Sequence, residues 1–274
     1  MGYILENRKE FERLEKQSQH PSYDFKKELA GLVVPARGKV LDAGCGSGIV
    51  SRYLAEAFPR SSVVGCDLSE DRIKQARKAL MEVASSERPE NLTFVCDNLS
   101  ETRFSDGEFD AIVCRYVFQH LSKDQCHRVL KEFLRCLKPK GTLSIVDFDG
   151  TVLNIFPQTE TIKEVLDTFE ADTTHDMRIG RKLPSLIASE GFTELKWHIE
   201  PVQMSEKVMK DEMEMMILRF ENTKKYLSQL LNDAKKADRF YREYLELLGK
   251  PGTVYFHNKF ICHAQRPNHL SLVK

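Results

Sequence analysis

The stretch Val40-Leu41-Asp42-Ala43-Gly44-Cys45-Gly46-Ser47-Gly48-Ile49-Val50 constrains this chain more than any other segment. An apolar run of strand length ends in a turn with glycine at every other position, and helix-forming residues follow. Glycine lacks Cβ, so it takes up positive φ without strain and lets a ligand come close to the backbone. A helix that starts right after such a turn points its unpaired N–H groups, and the positive end of its dipole, into it. The segment predicts a strand–turn–helix unit that cradles a nucleotide-like ligand. A dinucleotide-binding turn would read G-x-G-x-x-G, its third glycine letting the helix pack on the strand. Here Gly44, Gly46 and Gly48 alternate, Ile49 follows, and Asp42 ends the strand. No G-x-x-x-x-G-K-[ST] run occurs, which excludes a P-loop.

Four more segments complete the unit. Ser62–Cys66 reads as a second strand ending in Asp67, roughly twenty residues past the turn, where an acid is placed to accept hydrogen bonds from ribose hydroxyls. Leu92–Cys96 is a third, ending in Asp97-Asn98, which suit an adenine amino group. Phe109–Cys114 is a fourth, followed by Arg115 and the run to His120-Leu121. The turn Lys138-Pro139-Lys140-Gly141 opens a fifth strand that continues through Asp147. Helices are expected over 48–58, 69–84 and 123–136, with Ser69 and Ser122 as N-caps. This alternation is that of an open, mostly parallel sheet.

In order and spacing, D-x-G-x-G-x-G and the acids at the following strand ends resemble the successive motifs of class I S-adenosylmethionine-dependent methyltransferases, over roughly residues 36 to 150. The resemblance implies an α/β, Rossmann-like fold with a mostly parallel seven-stranded sheet, an N-terminal helical lid and a helical insertion before the last strand. It implies S-adenosyl-L-methionine as cofactor, with Asp42, Gly44, Cys45, Gly46, Gly48, Asp67, Leu68, Arg72, Asp97, Asn98, Leu99, Cys114 and Arg115 around it. The run from Tyr3 to Gln17 resembles the leader of some small-molecule methyltransferases, where it folds across the cofactor. On that resemblance Arg13 and Gln17 are expected contacts to the methionine carboxylate.

Subclasses fall away on missing residues. After the fourth strand this chain has Cys114-Arg115-Tyr116-Val117, not the [DNS]-P-P-[FY] of amino-group nucleic-acid methyltransferases. Arg115 to Leu121 holds no glutamate, unlike protein arginine methyltransferases. Cys114 stands where magnesium-dependent catechol-type enzymes need an acid, and no zinc or EF-hand spacing occurs, so no metal is expected. The small-molecule group remains, and the acceptor is left open as an O, N or C atom of a small, partly apolar compound. His120, Asp147 and Asp149 are the candidate bases, with His175 and Asp176 behind them. A non-enzymatic S-adenosylmethionine-binding regulator and a nicotinamide-dependent oxidoreductase stand as alternatives.

Lys+Arg and Asp+Glu number 41 each, so the chain lacks the basic excess that a nucleic-acid backbone attracts. No apolar run is long enough for a bilayer, and no signal peptide is expected. Seven cysteines, an odd number without a C-x-x-C pair, suit a reducing cytoplasm and argue against a disulfide frame. Cys45, Cys66, Cys96 and Cys114 gather at strand ends, either as a reactive or metal-binding rim or as small residues filling cramped positions. A monomer or homodimer is expected.

The expected organisation is a lid over 1–35, the cofactor core over 36–150, its continuation with a helical insert over 151–204, a second helical lid over 205–250, and the last strand and tail over 251–274. Within it, Tyr23 to Leu32, 158–171 and Arg181 to Ser189 read as helices, and Phe192–Val202 and Thr253–Ala264 as strands. The long insert carries Met204, Met209, Met213, Met215 and Met216, which suit either a pliant ligand surface or core filling.

Overall fold

Strands covered on both faces need near-continuous apolar sequence, and the first strands here show it. In β1 (Lys39–Ala43) and β2 (Ser62–Asp67) only the end residues reach solvent. The computed structural model describes residues 23–172, 175–203 and 206–269, apart from the side chains of residues 203, 206–209 and 211. With β3 (Leu92–Cys96), β4 (Phe109–Arg115) and β5 (Leu137–Asp149), β1 and β2 form a parallel array in the order β3-β2-β1-β4-β5. β8 (Val254–Gln265) lies antiparallel to β5 and to β7 (Thr193–Gln203), so β7 runs in the same direction as β5. The sheet has eight strands where seven were expected. The addition is β6 (Ile155–Phe156), which pairs with the start of β8 beyond the end of β5. Two residues carry no readable period, which is why the pattern missed it.

Helices cover both faces. α2 (Ile49–Ala57) and α3 (Glu70–Glu82) bury Leu54, Ile73, Ala76 and Leu80 against Val40, Val63, Phe94 and Val113. On the other face α4 (Lys123–Cys136) and α6 (Leu183–Ser189) pack on Leu41, Ile112, Cys114 and Ile145. The Ser122–Gln125 capping box starts α4, and Ser69 Oγ accepts from Arg72 N at the start of α3. A short 3₁₀ turn, Gly180–Lys182, precedes α6 where a single helix from Arg181 was expected; Pro184 in the first turn starts the α-helix proper.

The expected helix from Tyr23 to Leu32 shrinks to α1 (Phe25–Glu28), capped by Asp24. Gly31 and the nearby Pro35 work against its continuation. The insert forms α7 (Glu206–Leu230) and α8 (Ala234–Leu248), separated at Asn232, with φ of 48°, and capped by Asp233. Together with α5 (Glu160–Ala171) they build their own core from Ile162, Phe169, Met216, Phe220, Leu227, Phe240 and Tyr244. Met215 and Met216 are buried core filling, while the side chains of Met204 and Met209 lie outside the described residues. No helix among the described residues is long and apolar enough to cross a membrane.

Candidate active site

Strand order reverses at β1, which pairs with β2 on one side and β4 on the other. Open α/β sheets bind ligands at such a switch point, outside the carboxyl ends of the strands. The glycine turn sits there. Gly44, Gly46 and Gly48 have φ of 77°, 52° and 75°. A Cβ at Gly44 would stand 2.3 Å from Val117 Cγ2, and one at Gly48 2.6 Å from Phe94 Cζ, so both positions require glycine for space as well as conformation. Gly44 N and Cys45 N donate to Cys66 O at 2.7 and 2.9 Å, which ties the turn to β2.

Asp67, at the end of β2, completes the turn. Its Oδ2 accepts from Gly46 N at 2.9 Å and its Oδ1 from Ser69 N at 3.0 Å. Each carboxylate oxygen has two acceptor sites, so capacity for ligand hydroxyls remains. Next to it the side chain of Leu68 is 66% exposed, an apolar surface beside a charged group. Asp42 lies beneath the turn instead of in its mouth. Ser51 Oγ donates to its Oδ2 at 2.5 Å, and burial pushes its carboxyl up to about 6.

Asp97 and Asn98 shape the turn after β3. Asp97 accepts from Asn98 N and Arg103 N, both at 2.9 Å, and Asn98 Oδ1 accepts from Ser100 N at 3.0 Å. Leu99 is buried behind them, and Arg72 stands in the first turn of α3. The expected cofactor positions from Asp42 to Cys114 thus gather at the carboxyl ends of β1 to β4 or just beyond. Arg13 and Gln17 lie outside the described residues.

Burial holds the thiols of Cys45, Cys66 and Cys114 in the protonated form. It pushes them well above the ordinary thiol range, and the sulfurs of Cys66 and Cys96 lie 3.8 and 3.3 Å from the carbonyls of Asp97 and Leu68. That environment is inert packing, not an activated thiolate.

Arg115 is paired with Glu28 of α1. Its Nε and Nη2 both donate to Glu28 Oε2, at 2.8 and 2.5 Å. Glu28 Oε1 accepts from Lys259 Nζ at 2.9 Å and from Tyr116 Oη at 3.1 Å, and Lys259 also pairs with Glu200 at 3.0 Å. This buried cluster fastens α1 to β4, β7 and β8. Sequence reasoning missed Glu28 and Lys259. The available signal was a lysine at an inward position of β8, in line with Tyr255, His257 and Ile261.

Of the candidate bases, Asp149 is already committed. Arg181 grips it bidentately, Nε to Oδ2 at 2.8 Å and Nη2 to Oδ1 at 2.6 Å, and Arg181 N adds a third bond at 3.0 Å. It serves as a structural ion pair in place of the expected free base. Asp147 is fully buried and accepts from Phe148 N at 2.9 Å and Gln119 N at 3.2 Å, so it holds the 3₁₀ turn Phe118–His120. Burial pushes its carboxyl up to about 7. The carried turn presents His120, whose ring lies 5.2 Å from that of His175 at 89°. His175 in turn lies 5.3 Å from Tyr226 of α7, and burial keeps its pKa below the usual imidazole value. The Tyr226 hydroxyl donates to Asp172.

Beyond β4 and β5 lies a buried aromatic cluster that the sequence did not announce. Tyr116 stacks on Phe148 at 4.1 Å, and Tyr23 meets Phe148 edge-on at 5.5 Å. His257 lies 5.1 Å from Phe148 and 6.1 Å from Tyr255. Tyr244 Oη donates to Val152 O at 2.8 Å, and Tyr255 Oη to Glu212 Oε1 at 3.4 Å. The cluster joins the sheet to the α7–α8 insert.

Comparison with known proteins points to methyltransferases. The sequence model of a family described as a methyltransferase domain matches residues 40–141. A malonyl-[acyl-carrier protein] O-methyltransferase of Priestia megaterium is 23% identical, across 76% of this chain and 73% of its own. A ubiquinone/menaquinone biosynthesis C-methyltransferase of Syntrophotalea carbinolica is 32% identical across 43% of this chain and 46% of its own. The phosphoethanolamine N-methyltransferase 2 of Haemonchus contortus, solved with S-adenosyl-L-methionine, superposes with a TM-score of 0.59 at 18% identity, covering 97% of this chain and 60% of that one, which shows a shared fold. The chain belongs to the class I S-adenosylmethionine-dependent methyltransferases, enzymes that use S-adenosyl-L-methionine as methyl donor.

Proposed function

We propose that this methyltransferase acts on a small, partly apolar acceptor bound against the aromatic cluster, and that the glycine turn and the acids at the strand ends hold the cofactor. The stacked Tyr116–Phe148 pair, flanked by Tyr23 and His257 at the carboxyl ends of β4 and β5, carries this reading. It is a flat apolar wall with polar tips, suited to a compound of ring size.

The turn fits the cofactor. Gly44 to Gly48 let the backbone approach, Asp67 keeps acceptor sites for the ribose hydroxyls, and Leu68 and Leu99 offer apolar contact beside Asp97 and Asn98. Asp42, from below, orients the turn and the amino end of the ligand. Arg72 and Cys114 complete the rim, and Arg115 acts at one remove by fixing α1. When bound, the cofactor supplies a methyl group activated by sulfonium charge. The protein's share is alignment, and holding acceptor and donor in line can supply several kcal/mol of the barrier.

Where the acceptor is a hydroxyl or a protonated amine, His120 accepts its proton, with His175 and Tyr226 as the supporting pair. Burial favours the neutral form of His175. Asp147 serves as the positioning residue of this group. The names of the relatives span O- and C-acceptors, so the core fold leaves the acceptor atom to the insert. A cytoplasmic location accords with the seven free cysteines.

A screen of phenolic, quinol and acyl acceptors with methyl-labelled donor tests the proposal. Transfer to a small apolar acceptor, reduced by His120→Gln only for O- and N-acceptors, is expected. Label appearing in protein or nucleic acid while no small acceptor is methylated would overturn it.

A further inference from the structure

Tyr116 takes a backbone conformation that a residue of its size avoids. Its φ is 58°, in the left-handed region where the Cβ of an L-residue crowds the carbonyl that follows. β4 ends at Arg115, and Val117 already has helical angles, φ −106° and ψ −43°. The change of course from the strand to the 3₁₀ turn Phe118–His120 therefore falls on this residue. Glycine takes such an angle without strain, yet the chain carries tyrosine.

Backbone, ring and hydroxyl are each held. Tyr116 N donates to Val146 O of β5 at 2.8 Å, and Tyr116 O accepts from Gln119 Nε2 at 3.3 Å. The ring lies flat on Phe148, 4.1 Å away at 4°, and the Arg115 guanidinium stands 4.7 Å from its centroid. The hydroxyl donates to Glu28 of α1 at 3.1 Å. Strained backbone persists only where its surroundings over-determine it, and it gathers at functional sites.

The bend delivers Val117 to the glycine turn. Val117 Cγ2 stands 2.3 Å from where a Cβ on Gly44 would lie, so it fills the space that Gly44 leaves open. The same bend starts the 3₁₀ turn, in which His120 N donates to Val117 O at 3.0 Å. A negative φ at Tyr116 would send the chain out of β4 in another direction and part Val117 from Gly44.

We propose that Tyr116 is a positioning residue for the cofactor: its left-handed backbone seats Val117 on Gly44 and so fixes the glycine turn in the form that binds S-adenosyl-L-methionine. The inference rests on the methyltransferase reading and deepens it, because it makes cofactor affinity depend on a backbone angle outside the turn. Position 116 must supply the conformation, and the ring and the Glu28 contact serve as its clamp.

Calorimetric titration of the full chain with S-adenosylhomocysteine tests this. Tyr116→Ala removes the clamp and keeps a Cβ that disfavours positive φ, so affinity should fall about tenfold, the scale of one residue's left-handed penalty. Tyr116→Gly removes the same ring but tolerates the angle, and it should recover most of that loss while being no more resistant to urea. If ring packing alone mattered, glycine would bind no better than alanine. Val117→Ala leaves the stack and the Glu28 cluster in place and should also weaken binding severalfold. Adding Tyr116→Ala to it should then cost less than in the wild-type background. Wild-type affinity in Tyr116→Ala, a glycine variant no better than the alanine one, or losses that simply add would overturn the proposal. Should Tyr116→Ala fail to fold, wild-type affinity in Val117→Ala would overturn it alone. A wild-type chain that failed to bind S-adenosylhomocysteine would instead refute the cofactor reading.

Discussion

Replacing Glu28 with glutamine removes one charge from a cluster in which four donors converge on one carboxylate. Arg115 Nε and Nη2 meet Oε2, and Lys259 Nζ and Tyr116 Oη meet Oε1. The side chains of Glu28, Lys259 and Arg115 are 0%, 2% and 11% exposed, so water cannot take over. Glutamine keeps a single acceptor oxygen and points its amide donors at other donors. Breaking a buried ion pair from one side costs about 3–5 kcal/mol. Glu200 still neutralises Lys259 from 3.0 Å, which places the expected loss at the lower end, about 3 kcal/mol. Urea denaturation would show it as a lower midpoint at unchanged slope. The double variant Glu28→Gln, Lys259→Met should lose less than the sum of the singles, because methionine withdraws a cation that glutamine has stranded. A single-variant loss under about 1 kcal/mol, as for an exposed pair, would refute the reasoning.

Gly44→Ala should destabilise the chain through both φ and the 2.3 Å approach of its Cβ to Val117; adding Val117→Ala should recover the steric part in thermal unfolding, but not the strain, about 1–3 kcal/mol. Asp147 is pushed from an ordinary 3.8 to about 7, so the folded chain holds a proton that the unfolded chain has lost, and stability falls as pH rises through that window. The contribution is about 4 kcal/mol at most. In Asp147→Asn the decline should level off near pH 6, where Asp42 finishes titrating, whereas in wild type it should run on to about 7; parallel denaturation curves at pH 6 and 7.5 would contradict this.

The parts of this molecule that sequence made legible are those set by local chemistry. Alternating glycines after an apolar run, an acid closing β2, and serine caps on α3 and α4 each act within a few residues. They place β1 to β4 and the glycine turn almost to the residue, whereas β5 begins at Leu137, ahead of the expected Lys138–Gly141 turn. What stayed hidden depends on distant approach. Glu28 and Lys259 are 231 positions apart, and nothing near either announces the other. Asp149 reads as a free acid until the 3₁₀ turn before α6 brings Arg181 against it, and Asp147 until the 3₁₀ turn before α4 folds its N–H groups onto the carboxylate. Arg115 follows β4 as a cofactor contact would, yet α1 claims it. The four-residue α1 shows the same limit in reverse: composition favours a longer helix, while Gly31 and the tertiary pull on Glu28 end it.

Calorimetric titration of the wild-type chain and of Asp67→Ala with S-adenosylhomocysteine tests the cofactor site most directly. Wild type should bind, and the variant should bind more weakly by about 1–3 kcal/mol, the cost of losing charge-assisted hydrogen bonds to ligand hydroxyls and to Gly46 N. Unchanged affinity in Asp67→Ala, or heat with a reduced nicotinamide cofactor and none with S-adenosylhomocysteine, would contradict the account.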